Sequence, residues 1–324
     1  MKKNIPPIGF GTFGSDKYKP EDVSKAAMTA IKAGYRLFDC ARVYGNESEI
    51  GKVFKKAFDE GLVNRDDIFV ISKLWNDKHG DGEVMESCKK SLEDLNLDYV
   101  DLYLVHWPFP NYHAPGCDAN ARNANSRPFF TDEFMKVWRQ MEQLYDMGLA
   151  KQIGMSNMTI PKFEQVLPKC RIKPFAHEME IHPAFQQQEL FEYCIRHNMK
   201  VIGYCPIGSP NRPERDKTDE DVADTRMAEI LEVANNHGIH PASVCLKWAA
   251  QRGVIPIPMS CNEKNIVSNL ECLAQNPLSD DEMELIKNSD KNCRLVKGHV
   301  FLWEGASDWR ALWDENGKIS GWND

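Results

Sequence analysis

The sequence lacks the marks of several protein classes. Its ten cysteines contain no C-x-x-C pair, and no apolar run is long enough to cross a bilayer. Disulfide scaffolds are dense in cysteine and zinc sites use closely spaced pairs, so we expect reduced thiols and no bound metal. No block of basic residues stands out against a net charge of −8, which argues against nucleic acid or an anionic membrane as the main partner.

The chain also lacks a linker, a repeat or a low-complexity tract that would divide it. Lys2 and Lys3 are not followed by an apolar stretch, so the first residues do not predict a signal peptide. Hydrophobic residues make up 42% of the 324 residues, which is enough for a full core. We therefore expect one domain over residues 1–324 in a soluble, cytoplasmic protein.

Short β-rich runs alternate with longer amphipathic segments along the whole chain. Runs such as Ile68–Ile71 are almost continuous in apolar residues, as expected where helices cover a parallel sheet. Eight consecutive strand–helix units predict a closed α/β architecture, the (β/α)8 TIM barrel. The predicted strands are Pro7–Phe10, Tyr35–Cys40, Ile68–Lys73, Val100–His106, Gln152–Ser156, Phe175–Ile181, Val201–Tyr204 and Val254–Met259. The predicted helices are Glu21–Ala33, Ser48–Glu60, Glu83–Leu95, Asp132–Met147, Ile160–Val166, Gln187–His197, Asp221–Asn236, Ala242–Gln251 and Glu263–Cys272.

Polar residues at two predicted helix starts have the spacing of a capping box. Asn46 precedes Glu49 by three residues, and Ser279 precedes Glu282 by the same distance. We expect a helix to begin after each of them.

Two segments exceed what a minimal barrel needs. One is the long loop Pro108–Thr131 directly after the fourth strand, and the other is the tail from Lys291. The tail holds four of the eight tryptophans: Trp303, Trp309, Trp313 and Trp322. Because barrel enzymes carry their chemistry at the carboxyl ends of the strands, we expect both segments to lie over that mouth.

Four titratable residues stand at or just beyond the ends of three consecutive strands. They are Asp39, Tyr44, Lys73 and His106. Strand ends of a barrel surround one cavity, so these side chains should meet there. Any one of them alone would be read as a satisfied buried polar group; four at the same end favour a catalytic site.

Carbonyl reduction needs this combination of groups. A tyrosine hydroxyl such as that of Tyr44 can donate a proton, but its ordinary pKa is about 10. We expect the Lys73 ammonium to lower that pKa and Asp39 to keep Lys73 charged and oriented. His106 would form a hydrogen bond with the substrate oxygen.

These segments resemble the aldo-keto reductase family over nearly the whole chain. The resemblance implies Tyr44 as general acid and base, Lys73 and Asp39 as its tuning pair, and His106 as the residue that orients the substrate. It also implies a nicotinamide dinucleotide extended across the mouth, and no G-x-G-x-x-G run follows a predicted strand. The matching segments are Gly9–Thr12, Phe38–Glu47, Ile71–Trp75, Tyr103–Pro108, Gly154–Asn157, Glu180–Pro183, Gly203–Pro206 and Ile257–Ser260.

The resemblance further implies a set of cofactor contacts. Ser156 and Asn157 would hold the nicotinamide carboxamide, and Tyr204 would stack on the nicotinamide ring. Ser209 belongs to a loop that would cover the pyrophosphate. At the far end of the cofactor, Ser260, Asn262 and Asn269 would form hydrogen bonds with a phosphate or with a bare ribose.

Two positions depart from the family at the phosphate end. Met259 and Asn265 stand where the family usually has a lysine and an arginine that hold the 2′-phosphate of NADPH. Losing two charge-assisted contacts would cost several kcal/mol of preference for NADPH. We therefore expect NADP(H) or NAD(H), with relaxed preference or a tilt toward NADH. Lys264, Arg212 or Arg215 would then supply the positive charge that Met259 and Asn265 lack.

A third departure is Glu178, which stands where the family usually has a glutamine facing the carboxamide. A carboxylate accepts from the amide NH2 but cannot donate to its oxygen. It would also favour the oxidised, cationic nicotinamide. The alternative is a local structural pairing, for instance with His177 or a backbone amide.

The substrate is less defined than the reaction. By position, the pocket would be lined by Phe13, Val43, Trp75 and Trp107, whose apolar faces suit sugars as well as aromatic carbonyl compounds. The sequence thus predicts an NAD(P)-dependent reductase of an aldehyde or ketone, with a sugar among the candidates, acting as a monomer or weak homodimer. The alternatives are a regulatory nucleotide-binding barrel without turnover, and a hydrolase using Asp39 and Glu178 as paired carboxylates.

Overall fold

The computed structural model describes residues 4–15, 17–114, 117, 118, 121, 123–210, 212–214 and 217–321. Eight parallel strands follow one another around a single sheet in chain order. The backbone amides of Gly9 and Gly11 donate to the Pro256 and Pro258 carbonyls at 3.0 Å, so the first strand also joins the last. The predicted (β/α)8 barrel is confirmed. The strands are β1 (Phe10–Gly11), β2 (Leu37–Asp39), β3 (Phe69–Leu74), β4 (Leu102–Val105), β5 (Ile153–Ser156), β6 (Ala176–Glu180), β7 (Lys200–Tyr204) and β8 (Val254–Pro256).

Helices alternate with the strands and cover the outside of the barrel. The prediction of a helix over Asp221–Asn236 was wrong in its first part, because the helix begins at Ala228. Upstream of it, the carboxylate of Asp221 accepts hydrogen bonds from Thr218 and Lys297 and holds the chain in a loop. The helices are α1 (Pro20–Ala33), α2 (Glu47–Asp59), α3 (Glu83–Leu95), α4 (Thr131–Asp146), α5 (Ile160–Val166), α6 (Gln188–Arg196), α7 (Ala228–His237), α8 (Pro241–Gln251), α9 (Glu263–Glu271) and α10 (Asp280–Lys287).

The two predicted capping boxes have different outcomes. The Ser279 side chain accepts from the Glu282 amide and Glu282 reaches back, which confirms the box at the start of α10. At α2 the prediction was wrong, since the Asn46 side chain makes no cap hydrogen bond. Its amide instead donates to the Thr12 carbonyl at 2.7 Å and ties the start of α2 to the loop after β1.

The side chains of the strands divide into two apolar layers. An outer layer packs between the strands and the helices, and an inner layer fills the barrel. Gly154 lies on the inner side of β5, where a Cβ atom would stand 2.7 Å from Leu104. Glycine is therefore required there for the strands to pack around the axis. The inner layer consists of Leu37, Phe69, Ile71, Leu102, Leu104, Ala176, Ile202, Ile255 and Ile257.

The tail and the segment after β4 pack on each other beside the barrel mouth. The ring of Trp107 lies 4.5 Å from that of Phe301 and 5.4 Å from that of Trp313. A buried ion pair between Lys162 of α5 and Asp314, at 2.5 Å, anchors the end of the tail. The predicted position of both segments is confirmed; Trp322 lies outside the described residues.

None of the helices that the structure describes is both long and apolar enough to cross a membrane.

Candidate active site

The candidate site follows from the alternation of side chains along the strands. Successive residues of a strand point to opposite faces, so every second residue faces the axis. Leu37 and Ile71 belong to the inner apolar layer, and Asp39 and Lys73 stand two residues further toward the mouth. The same step leads from Leu104 to His106, from Ala176 to Glu178 and from Ile202 to Tyr204.

Lys73 is the centre of the site, and its side chain is completely buried. Its Nζ atom lies 2.5 Å from Asp39 Oδ1, 3.3 Å from Tyr44 Oη and 3.4 Å from Glu178 Oε1. Burial alone would lower the pKa of Lys73, but the Asp39 and Glu178 carboxylates outweigh it and hold that pKa well above its ordinary value. Lys73 is therefore a fixed positive charge beside the phenol.

Tyr44 ends a 3-10 turn, Arg42–Tyr44, that follows β2 and turns its half-buried side chain toward the mouth. The Phe13 ring packs against it with the centroids 5.0 Å apart. Burial raises the pKa of Tyr44 well above its ordinary value, and Lys73 offsets that rise only in part. Lys73 acts on the pKa of Tyr44 in the expected direction, but burial outweighs the ammonium, so the net pKa is raised and the phenol stays protonated.

His106 follows β4 and faces Tyr44 edge to face, with ring centroids 6.0 Å apart and planes at 81°. Burial, together with the Lys73 charge, lowers the pKa of His106 well below its ordinary value, so the ring is neutral. Its Nδ1 atom is buried and has no hydrogen-bond partner among the described residues. A neutral imidazole can donate from one nitrogen and accept at the other.

Glu178 is buried on β6, and its Oε1 atom lies 3.4 Å from the Lys73 ammonium. The alternative pairing with His177 was wrong, because the His177 ring instead accepts from the Met158 amide and contacts the Cys194 thiol. Burial and the neighbouring Asp39 carboxylate raise the pKa of Glu178 to about 8. Glu178 thus joins the cluster around Lys73 and Asp39 rather than a separate contact with His177.

Polar atoms at the ends of β5 and β6 form a short row beside Tyr204. Ser156 Oγ and Glu178 Oε2 are buried and have no hydrogen-bond partner within the described part of the chain. The Asn157 amide donates to the His106 carbonyl at 3.0 Å and accepts from the Tyr204 hydroxyl at 2.7 Å. Buried polar atoms are rarely left without partners, so this row fits a ligand that brings its own donors and acceptors, such as a carboxamide.

The start of α9 presents polar side chains but few charges. Asn262 caps the helix by accepting from the Lys264 and Asn265 amides, and Asn269 lies buried one turn from its end. Ser260 is half-buried and Met259 packs against the outer apolar layer. The predicted phosphate end of the site therefore presents an apolar side chain at Met259 and an amide at Asn265.

The loop after β7 is held by charges of its own. Arg212 pairs with Asp221, which also accepts from Lys297 of the tail at 2.9 Å. The Arg212 guanidinium, one of the three cations expected to compensate at the phosphate end, thus has a carboxylate partner in Asp221. Ser209 stands in this loop with a left-handed φ of 36°, and Arg215 lies outside the described residues.

The residues expected to line the substrate pocket differ in exposure. Phe13 and Val43 are 44% and 39% exposed, and Trp75 is half-buried against His106. Trp107 is only 5% exposed, because the tail covers it. Three of the four thus have surface available to a substrate, and Trp107 mainly supports the tail.

Sequence reasoning missed two buried polar residues around the site. Asn111 fastens the loop after β4 to the tail, donating to the Arg127 and Phe301 carbonyls at 2.8 Å. Glu180 accepts from the Leu295 and Val296 amides at the start of the tail. Glu180 stands two residues beyond Glu178 on the inner face of β6, so the alternation of side chains along the strand could have identified it. No sequence pattern identifies Asn111.

Comparison with known proteins agrees with the geometry. A model of the Aldo/keto reductase family matches residues 7–291. The chain belongs to the aldo-keto reductase family. It is 36% identical to "Aldo-keto reductase family 1 member A1-A" of Danio rerio over 310 residues, covering 95% of this chain and 93% of that protein. It is 37% identical to "Aldose reductase C" of Dictyostelium discoideum over 303 residues, covering 92% and 90%.

Membership fixes the reaction class. This aldo-keto reductase is an NAD(P)-dependent oxidoreductase that reduces small carbonyl compounds to alcohols.

The glycines of Gly9–Gly14 match the spacing G-x-G-x-x-G, but the run begins at β1 itself and α1 does not start until Pro20. It therefore lacks the strand–turn–helix context of a dinucleotide-binding loop.

Proposed function

We propose that Tyr44 gives its phenolic proton to the oxygen of an aldehyde or ketone as the carbonyl carbon is reduced. The observation that carries this is the Tyr44 hydroxyl, half-buried at the mouth and 3.3 Å from the Lys73 ammonium. The phenol is protonated at neutral pH, so its proton is available for donation. A nicotinamide dinucleotide, when bound, supplies the hydride.

Each neighbour of Tyr44 has a distinct part in this proposal. Proton donation leaves a phenolate, and the fixed charge of Lys73 stabilises it at hydrogen-bonding distance. Asp39 holds Lys73 by the short contact at 2.5 Å. The neutral His106 ring faces the phenol and orients the substrate oxygen by a hydrogen bond. In alcohol oxidation the same groups act in reverse, with the Tyr44 phenolate as base.

The cofactor contacts proposed for this chain follow the row of polar atoms at the ends of β5 and β6. Ser156, Asn157 and Glu178 would hold the carboxamide, with Tyr204 against the nicotinamide ring. Ser209 would contact the pyrophosphate, and the polar start of α9 would hold the adenosine end through Ser260, Asn262 and Asn269. Because Met259 and Asn265 bring no charge, we propose that the enzyme uses NADH as well as NADPH.

The remaining features of the proposal concern the molecule as a whole. The packing of the loop and tail on the barrel supports one functional domain over residues 1–324. We propose a cytoplasmic monomer that reduces an aldehyde or ketone, including sugars, in a pocket bounded by Phe13, Val43, Trp75 and, beneath the tail, Trp107. No observation favours a regulatory barrel without turnover.

Replacement of Tyr44 by phenylalanine tests this function. Consumption of reduced dinucleotide would be followed at its absorbance band with a panel of aldehydes, ketones and aldoses. We expect Tyr44→Phe to lower kcat by about 10²- to 10⁴-fold, the usual contribution of a general acid, while the dissociation constant of the dinucleotide changes little. Tyr99→Phe, at a surface tyrosine bonded to Asp66, is the matched control. Near-normal turnover by Tyr44→Phe would refute the role of the phenol.

A further inference from the structure

The buried cluster around Lys73 contains two carboxyl groups and only one ammonium group. Lys73, Asp39 and Glu178 are 0%, 4% and 2% exposed, and both carboxyl groups lie within 3.4 Å of the single ammonium. Were all three ionised, the buried cluster would have a net charge of −1. Two carboxylates that share one buried site do not both ionise easily, because each raises the cost of charging the other.

The geometry indicates which carboxyl group takes the extra proton. Asp39 has the closer contact with Lys73, at 2.5 Å against 3.4 Å for Glu178. The other titratable groups that face Glu178 are the phenols of Tyr44 and Tyr204, and neither supplies a positive charge. Glu178 Oε2, moreover, meets no hydrogen-bond donor among the described residues. Asp39 is therefore the better stabilised anion, and Glu178 is the better place for the proton.

We propose that Glu178 is a carboxylic acid in the enzyme at neutral pH, and that its ionisation sets which oxidation state of the dinucleotide binds more tightly. The proposal rests on the proposed function, because it needs the nicotinamide to lie beside β5 and β6. It concerns the position where this chain has Glu178 and the family usually has a glutamine.

The two protonation states offer a nicotinamide different surroundings. The neutral acid has one donor and one acceptor and can pair with both ends of a carboxamide, as a glutamine does. The ionised form loses the donor and adds a negative charge that favours the cationic, oxidised ring. Burial and Asp39 raise the pKa of Glu178 to about 8, so the change of state falls within an accessible range.

The sign of the effect follows from linkage between the two equilibria. If the oxidised dinucleotide binds the ionised form better, its binding must release protons near and below the pKa of Glu178. Raising the pH through about 8 should then tighten the oxidised form relative to the reduced form. His182, whose pKa is raised to about 9 between Glu180 and Asp224, also titrates nearby. A glutamine variant at 178 separates the two contributions, since it leaves His182 intact.

Equilibrium binding tests the proposal without turnover. Dissociation constants of oxidised and reduced NADP and NAD would be measured by quenching of tryptophan fluorescence between pH 6 and 9.5, for wild type, Glu178→Gln and Glu189→Gln. Glu189 is an exposed residue of α6 and gives a matched control. We expect the ratio of the reduced to the oxidised dissociation constant to rise about tenfold in wild type and control, as for one unit of pKa shift, and to stay flat in Glu178→Gln.

Calorimetry supplies a second measurement, the number of protons released when the oxidised dinucleotide binds. Binding of the oxidised dinucleotide at pH 7.5, in buffers of different ionisation enthalpy, should release a substantial fraction of one proton in wild type and none in Glu178→Gln. A wild type with a flat ratio and no proton release would overturn the proposal, and so would equal pH dependence in wild type and Glu178→Gln. Failure of wild type to bind any dinucleotide would instead refute the proposed function.

Discussion

Replacing Lys73 with methionine gives the most direct measure of the electrostatic part of the mechanism. Methionine keeps the volume of the side chain but removes the ammonium 3.3 Å from the Tyr44 oxygen. A charge pair at this distance is worth about 5 kcal/mol at an effective dielectric constant of 20. Because Asp39 neutralises part of the Lys73 charge, we expect about half of that, ~2–3 kcal/mol, to be lost from the transition state. This corresponds to a fall in kcat of about 30- to 160-fold.

The assay should isolate the chemical step from product release. Single-turnover reduction would be followed by stopped flow after mixing enzyme and reduced dinucleotide with a saturating aldehyde. Lys247→Met is the matched control, because Lys247 is equally buried but donates to the Cys272 carbonyl at 2.7 Å, on α8. It should keep its rate whatever it loses in stability. A Lys73→Met rate within threefold of wild type would show that the ammonium does not stabilise the phenolate.

Two further predictions concern the cofactor and the pH dependence of folding. Met259→Lys combined with Asn265→Arg should raise kcat/KM for NADPH relative to NADH by at least tenfold, since each new charge-assisted contact is worth about 1.5 kcal/mol or more; an unchanged ratio in steady-state kinetics would contradict this reading of the α9 site. The pKa of His182 is raised to about 9 by Asp224 and Glu180, which outweigh burial. Its stabilisation is therefore complete below about pH 6.5 and is lost as the pH rises through 9, so the urea midpoint should fall between pH 7 and 10. His182→Gln should remove that fall, and an equal fall in this variant would refute the assignment.

The sequence was sufficient for features that depend on periodicity. Alternation along each strand put Asp39 and Lys73 on the same face as Leu37 and Ile71, and the order of the units then brought them to one mouth. The eight strands followed from the same periodicity, whereas the reaction class followed from the residue types at the strand ends and from the family resemblance. The start of α2 after Asn46 was predicted, but its cap bond was not, because the Asn46 amide bonds the distant Thr12 carbonyl instead.

Features that depend on the balance of buried charges were not readable from the sequence. The pKa of Tyr44 was expected to fall, yet burial raises it, because depth of burial is set by Phe13 and other residues that pack around the ring. Arg212 looked available for a phosphate until its pairing with Asp221 was seen. Such pairings join residues that no local pattern connects.

The tail is attached to the barrel by contacts separate from those that hold the cluster around Lys73. The family match ends at residue 291, and the aromatic cover formed by Phe301 and Trp313 lies beyond it. It is fixed from outside the strands, through Asn111 and the Lys162–Asp314 pair. Phe301 contacts Trp75, which packs on His106. We therefore expect substitutions in this cover to act on the proposed substrate pocket through Trp75, while Lys73 and Asp39 keep their contact.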